Sequence, residues 1–221
     1  MIEIVYQDKF LFVINKPAGL NSIADGYDPT LPYVRSLLEP QFQRLWVVHR
    51  LDKDTSGLMI LARTAVVHRL LCAQFLDRSV QKQYLALVYG CFPDHLRADR
   101  PLRINGDRRH RTVVDNTNGK QAITDFSLVE NYGNGTSQIS AFPHTGYTHQ
   151  IRAHVFNLGF PILGDPLYYS KESLEFSKAM FIKRTMLHSY KITFLHPVEN
   201  IQMDLTARIP DDISQTIQTF K

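Results

Sequence analysis

Between positions 49 and 57 the chain reads His49-Arg50-Leu51-Asp52-Lys53-Asp54-Thr55-Ser56-Gly57. Nine residues thus offer an imidazole, a guanidinium, an ammonium, two carboxylates, two hydroxyls and a closing glycine. Such a mixture suits proton transfer, attack by a carboxylate, or the binding of an anionic substrate. It also suits a plain turn, because Asp, Thr and Ser beside Gly satisfy backbone groups locally. Asp54, Thr55 and Ser56 fit the turn reading. Asp52, at the junction of an apolar run and the turn and close to Arg50, is the candidate for chemistry.

A second cluster runs His144-Thr145-Gly146-Tyr147-Thr148-His149-Gln150-Ile151-Arg152-Ala153-His154. With Thr148 as N-cap, the spacing predicts a helix with Ile151, Val155 and Leu158 facing a core and His149, Arg152 and Phe156 on another side. Arg152 is then either an exposed side chain or one that reaches into a cleft. His144, His149 and His154 do not form a metal set, since intervals of five place successive rings about 140° apart on a helix.

A third feature is charge. The net charge is +4. Between Arg97 and Lys120 seven basic residues face three acids, so this stretch holds the whole excess and the rest of the chain is balanced. Arg108, Arg109 and Arg111 follow the turn signal Asn105-Gly106-Asp107. They make a candidate phosphate-binding arm, with a solvated loop as the alternative.

The elements that must position these groups are short and mostly strands. Glu3–Tyr6 and Phe10–Asn15 read as a hairpin, and a helix is predicted near Leu31–Leu38. Leu58–Leu61 reads as a buried strand, and Val66, Val67, Leu70, Leu71 and Phe75 recur at helical spacing up to Asp77. Tyr84–Gly90 is apolar on both faces and reads as a central strand. Ala122–Val129 and Ser137–Phe142 flank a glycine-rich turn. Gly159 ends the helix after Thr148, and Lys191–Leu195 and Gln202–Ala207 are further strands. A last helix is expected over Asp211–Thr219 with Asp211 as N-cap. The pattern is α+β, with a mixed, largely antiparallel sheet and flanking helices, and without regular βα alternation. No repeat, low-complexity tract or sharp linker interrupts it, so one domain over 1–221 is expected, with 97–121 as a basic insert.

Apolar residues make up 44% of the chain and charged residues 21%, as in ordinary globular proteins. Neither a leader-like N-terminus nor an apolar run of membrane-spanning length is present, so a cytoplasmic protein is expected. Cys72 and Cys91 lack metal-site spacing and read as reduced, buried apolar residues.

Taken in order, three segments resemble the main motifs of the RluA-type pseudouridine synthases. They are the residues at 49–57, Lys82-Gln83-Tyr84-Leu85-Ala86-Leu87-Val88-Tyr89-Gly90, and Thr145 to His154. Lesser likenesses are Asn15-Lys16-Pro17-Ala18-Gly19, Gly119-Lys120-Gln121-Ala122, Pro161-Ile162-Leu163-Gly164-Asp165, Leu187-His188 and His196-Pro197. The resemblance implies a pseudouridine synthase fold around a central RNA-binding cleft. It makes Asp52 the catalytic aspartate, Arg152 the arginine that pairs with it and Tyr84 the tyrosine that packs on the target base. It makes Arg50 the side chain that enters the RNA where the base leaves, with His49, His149 and the arm as further RNA contacts. Structured RNA, tRNA or 23S rRNA, is the implied partner, no cofactor is required, and a monomer is expected. Tyr147 stands where the family has arginine. The family's frequent N-terminal S4 domain is expected to be missing, because the likeness begins within the first residues. Two other classes compete: a non-catalytic RNA-binding assembly factor using the same arm, and a metal-dependent hydrolase or glycosyltransferase using Asp52-Lys53-Asp54.

Overall fold

The computed structural model describes residues 2–221, which divide into two compact units. The first comprises the N-terminal part up to Lys82 together with Ser189–Ile209, and the second comprises Gln83–His188 with Pro210–Lys221.

In the first unit, strands β1 (Glu3–Gln7), β2 (Leu11–Lys16) and β4 (Ser56–Ala62) lie side by side, followed by the part of β11 (Leu187–Leu195) that belongs to this unit. Strand β12 (Gln202–Thr206) pairs with β11, and the short β3 (Trp46–Val47) pairs with β4; the registered pairs are antiparallel. Every residue of β4 is buried. Helix α2 (Ala65–Leu76) packs Val67 and Leu71 against Leu58 and Ile60 of that strand, together with Leu11, Val13, Ile192 and Phe194. Each such side chain contributes about 1.5–3 kcal/mol by leaving water. Thr64 caps α2, its hydroxyl accepting from the Val67 N–H at 3.2 Å.

Helix α1 (Val34–Phe42) starts three residues later than the spacing predicts. Pro32 disfavours helical backbone at Leu31 and Tyr33 becomes the N-cap in extended conformation.

The second unit is built on the sheet β5 (Gln81–Tyr89), β10 (Thr136–Pro143), β9 (Ile123–Tyr132) and β6 (His95–Asp99), in that order and antiparallel. The basic insert folds as a small hairpin, β7 (Leu102–Arg103) with β8 (Val113–Val114). Three helices belong here: α3 (Gln150–Asn157), α4 (Lys171–Ala179) and α5 (Asp211–Phe220). Leu102, Ala122, Ala153 and Tyr168 form a buried cluster that joins the arm to α3, with Tyr147, Phe156 and Leu167 against it.

Several expectations need correction. Thr148 does not cap α3: His149 does, in left-handed backbone with φ 57° and without a side-chain cap bond, while Gln150 Oε1 accepts from the Tyr147 N–H just before the helix. Asp211 is the first helical residue of α5 and Pro210 its N-cap, so Asp211 and Asp212 act through the positive end of the helix. Cys91 is exposed and Cys72 half-buried, rather than both buried. Among the described residues no helix is long and apolar enough to cross a membrane.

Candidate active site

The backbone around Asp52 is fixed from three directions by the loop that follows β2. Lys16 is fully buried, and its ammonium donates to the carbonyls of Pro17 (2.9 Å), Leu20 (2.8 Å) and Lys53 (3.0 Å). Gly19 N–H donates to the same Lys53 carbonyl at 2.9 Å. Ser22 Oγ donates to Leu51 O at 2.7 Å and accepts from Leu51 N–H at 3.0 Å. Thr55 N–H closes the turn on Asp52 O at 3.1 Å. The carbonyls of residues 51, 52 and 53 are therefore all engaged, and a half-buried Asp52 sits in the middle of a backbone with little freedom. Gly57 ends the loop with φ 113°; a Cβ there would stand 2.2 Å from Ser189 O, so no other residue fits.

The neighbours of Asp52 divide sharply. Leu51 is buried, whereas Arg50 and Lys53 are exposed. His49 turns inward: its Nε2 accepts from Ile60 N–H at 2.9 Å and its ring stacks on Phe75 at 4.5 Å. Desolvation in that packing, with the nearby Lys82 ammonium, holds the imidazole down to about 3. His49 is thus neutral at pH 7 and brings no cation to an RNA surface. Burial likewise pulls Lys82 down to about 8.

In the second unit Tyr84 lies on β5 opposite Ala141 of β10 and is 9% exposed. Arg152, on α3, is buried too, which settles its two sequence readings against an exposed side chain. Its guanidinium forms a two-pronged ion pair with Asp165, Nε to Oδ2 at 2.6 Å and Nη2 to Oδ1 at 2.8 Å. Sequence reasoning noted Asp165 within a family-like segment but gave it no role. The available signal was the turn Gly164-Asp165, where Gly164 adopts φ 72° and a Cβ would meet Arg184 O at 2.0 Å.

The arm divides as well. Arg108 is exposed. Arg109 donates to Pro166 O at 3.2 Å and lies over the Tyr169 ring. Arg111 pairs with Asp107 at 2.7 Å, donates to Leu167 O at 3.1 Å and lies over the Tyr168 ring. The structure therefore brings Arg109, Arg111, His149 and Arg152 together around residues 165–169, and leaves Arg108 facing solvent. Tyr147, the departure from the family pattern, is half-buried against the cluster at the base of the arm.

The three histidines of the second motif go to different partners. His144 pairs with Asp125, His149 meets Tyr168 Oη, and His154 lies between Thr124 Oγ1 and Arg100 O. Among the described residues no group of three or more His, Cys, Asp or Glu is placed to hold a metal ion.

The profile of the RNA pseudouridylate synthases matches residues 10–156, about two thirds of the chain. The chain belongs to this family. Its relatives include the dual-specificity RNA pseudouridine synthase RluA of Salmonella typhi, 35% identical over 96% of this chain and 94% of the relative. The tRNA pseudouridine synthase C of Haemophilus influenzae is 33% identical over 100% and 98%. The ribosomal large subunit pseudouridine synthase D of Zymomonas mobilis is 35% identical over 96% of this chain and 70% of the relative. Among solved structures, human RNA pseudouridylate synthase domain containing 4 superposes with TM-score 0.77 at 26% identity, covering 99% of this chain and 92% of that one. The synthase therefore has the pseudouridine synthase fold and is an isomerase acting on uridine in RNA. That assignment displaces the assembly-factor alternative.

Proposed function

We propose that this synthase converts specific uridines in tRNA, large-subunit rRNA or both, with Asp52 as catalytic carboxylate and Tyr84 and Arg152 as the aromatic and cationic members of its site. The observation that carries the Asp52 assignment is the fixed backbone of residues 51–53, because a carboxylate held in place loses little entropy on the way to the transition state. The choice of RNA rests on relatives of both kinds at nearly equal identity.

The reaction breaks the N1–C1′ bond of uridine, rotates the freed uracil and joins C5 to C1′. The proton lost from C5 is balanced by one gained at N1, so neither an oxidant nor a transferred group is needed. Asp52 acts ionised, whether it attacks C1′ or removes the C2′ proton. The base leaves its stack at a cost of a few kcal/mol. Arg50, exposed beside the pinned Leu51, is suited to fill the gap, since its planar guanidinium stacks and binds phosphate together. Tyr84 supplies an apolar face that keeps water from the cleaved intermediate. We assign RNA contacts also to Arg108 and Arg109, and propose that the enzyme works as a cytoplasmic monomer.

The test is tritium release from [5-³H]uridine-labelled tRNA and large-subunit rRNA transcripts, with pseudouridine mapping in cells with and without the gene. Release from one class, matched by loss of the same site in cells, identifies the substrate. Release from neither, with another RNA labelled instead, overturns the choice.

A further inference from the structure

One aromatic ring receives two arginines from different parts of the second unit. Arg152 Cζ lies 5.1 Å from the centroid of Tyr168, and Arg111 Cζ lies 5.8 Å from it. The ring is 2% exposed. Cation–π attraction strengthens where water is excluded, so both guanidiniums are held by the same π system.

The rest of Tyr168 is tied just as closely. Its hydroxyl accepts from Thr112 N–H at 2.8 Å, donates to Thr112 O at 3.1 Å and lies 3.2 Å from His149 Nδ1. Burial pushes the phenol up to about 12, so it keeps its proton. Its backbone N–H donates to Asp165 Oδ1 at 3.0 Å, the same oxygen that receives Arg152 Nη2. Thr112 is the residue after Arg111, and its own hydroxyl donates to Thr148 O at 2.7 Å, just before α3. The return side of the arm, the ring and the arginine of α3 therefore form one continuous set of contacts.

We propose that Tyr168 is a positioning residue that couples the basic arm to Arg152, so that engagement of RNA phosphates by the arm sets the aim of that arginine. This rests on the reading of Arg152 as part of the active site. Any shift of the arm at Thr112 displaces the Tyr168 hydroxyl, and the ring cannot move without moving its contact with Arg152. Arg111 serves this coupling more than it serves phosphate, because Asp107, Leu167 O and the ring already occupy it. A core tyrosine with no such task would change stability and leave the balance of kcat and KM alone.

Steady-state tritium release from one RNA substrate tests the coupling. Tyr168→Leu should lower kcat at least tenfold with KM within threefold, and Tyr168→Phe, which keeps the ring between the guanidiniums, should recover at least fivefold of that loss. Arg111→Met should lower kcat about fivefold in the otherwise natural enzyme and less than 1.5-fold when combined with Tyr168→Leu. Additive effects in that cycle, or a Phe variant as slow as the Leu variant, would overturn the proposal. If Tyr168→Leu does not fold, Arg111→Met alone decides: a fall in kcat at constant KM supports coupling, and a change in KM alone or no change refutes it. Arg152→Lys in the same assay separates the two claims. An unaffected Lys variant removes Arg152 from the site, whereas an inactive one beside normal Tyr168 and Arg111 variants removes only the coupling.

Discussion

Asp165 grips Arg152 through two parallel hydrogen bonds of 2.6 and 2.8 Å, with the arginine side chain 6% exposed and the carboxylate not at all. The same carboxylate accepts the backbone N–H groups of Leu167 and Tyr168 at 2.9 and 3.0 Å. Removing its charge takes a two-pronged carboxylate partner from a buried guanidinium. Asp165→Asn should lower the unfolding free energy by about 3 kcal/mol, the cost of breaking a buried ion pair by neutralising one member. Urea unfolding monitored by fluorescence measures this, and a loss below about 1 kcal/mol would show the pair to be dispensable for stability.

Lys16 is a buried ammonium that donates to three backbone carbonyls at 2.8–3.0 Å. Lys16→Met keeps the aliphatic stem and deletes the donor, so three carbonyls lose a charged partner. A stability loss of about 2–4 kcal/mol is expected. Hydrogen exchange should speed up at Gly19 and Thr55, whose N–H groups bond to the loop carbonyls. Unchanged protection at both amides would show that the loop is held without Lys16.

These two residues show what was and was not readable in the sequence. Periodicity and turn chemistry were enough for β2, β4, α2 and the β9–β10 hairpin, because each buries its own local pattern. Asp52, Tyr84 and Arg152 stood out through ordered motifs. Asp165 and Tyr168 did not, since their partners lie 13 and 56 residues away in sequence and no local spacing encodes such a meeting. Charge counting could not tell the arginines of the arm apart. Arg108, Arg109 and Arg111 look alike in sequence, yet Arg108 and Arg109 are exposed whereas Arg111 is half-buried against Asp107 and the Tyr168 ring. Helix α4 carried a legible signal, Ser170 followed three residues later by Ser173 in a capping box, but its sparse apolar residues hid it.

His49 makes stability depend on pH. Its imidazole is held at about 3 in the folded enzyme against 6.5 when unfolded. Between those values the unfolded chain binds one more proton, so stability is complete above pH 6.5 and falls as the pH drops toward 3, by up to about 1.4 kcal/mol per pH unit. His49→Gln can still accept from Ile60 N–H and does not titrate. Unfolding free energies at pH 5, 6 and 7 should decline less steeply with acid for that variant than for the natural enzyme. Parallel declines would place the acid sensitivity elsewhere.

The arm's arginines should separate by salt. Arg108→Ala should reduce the slope of log affinity against log salt by about one unit, as expected for one lost phosphate contact. Arg111→Met should change the slope by less than half as much, because its guanidinium is already occupied by Asp107 and Leu167 O. Filter binding between 50 and 200 mM salt provides the comparison. A larger slope change for Arg111 than for Arg108 would reverse these assignments.

Asp52 is a half-buried carboxylate on a backbone fixed at Leu51, Asp52 and Lys53. Asp52→Asn preserves shape and removes the charge that the reaction uses, so RNA affinity should stay within about tenfold while turnover is lost. Tritium release from [5-³H]uridine RNA measures this directly. Release indistinguishable from background is expected for Asp52→Asn beside an active natural enzyme, and release at a near-natural rate would contradict the assignment of Asp52.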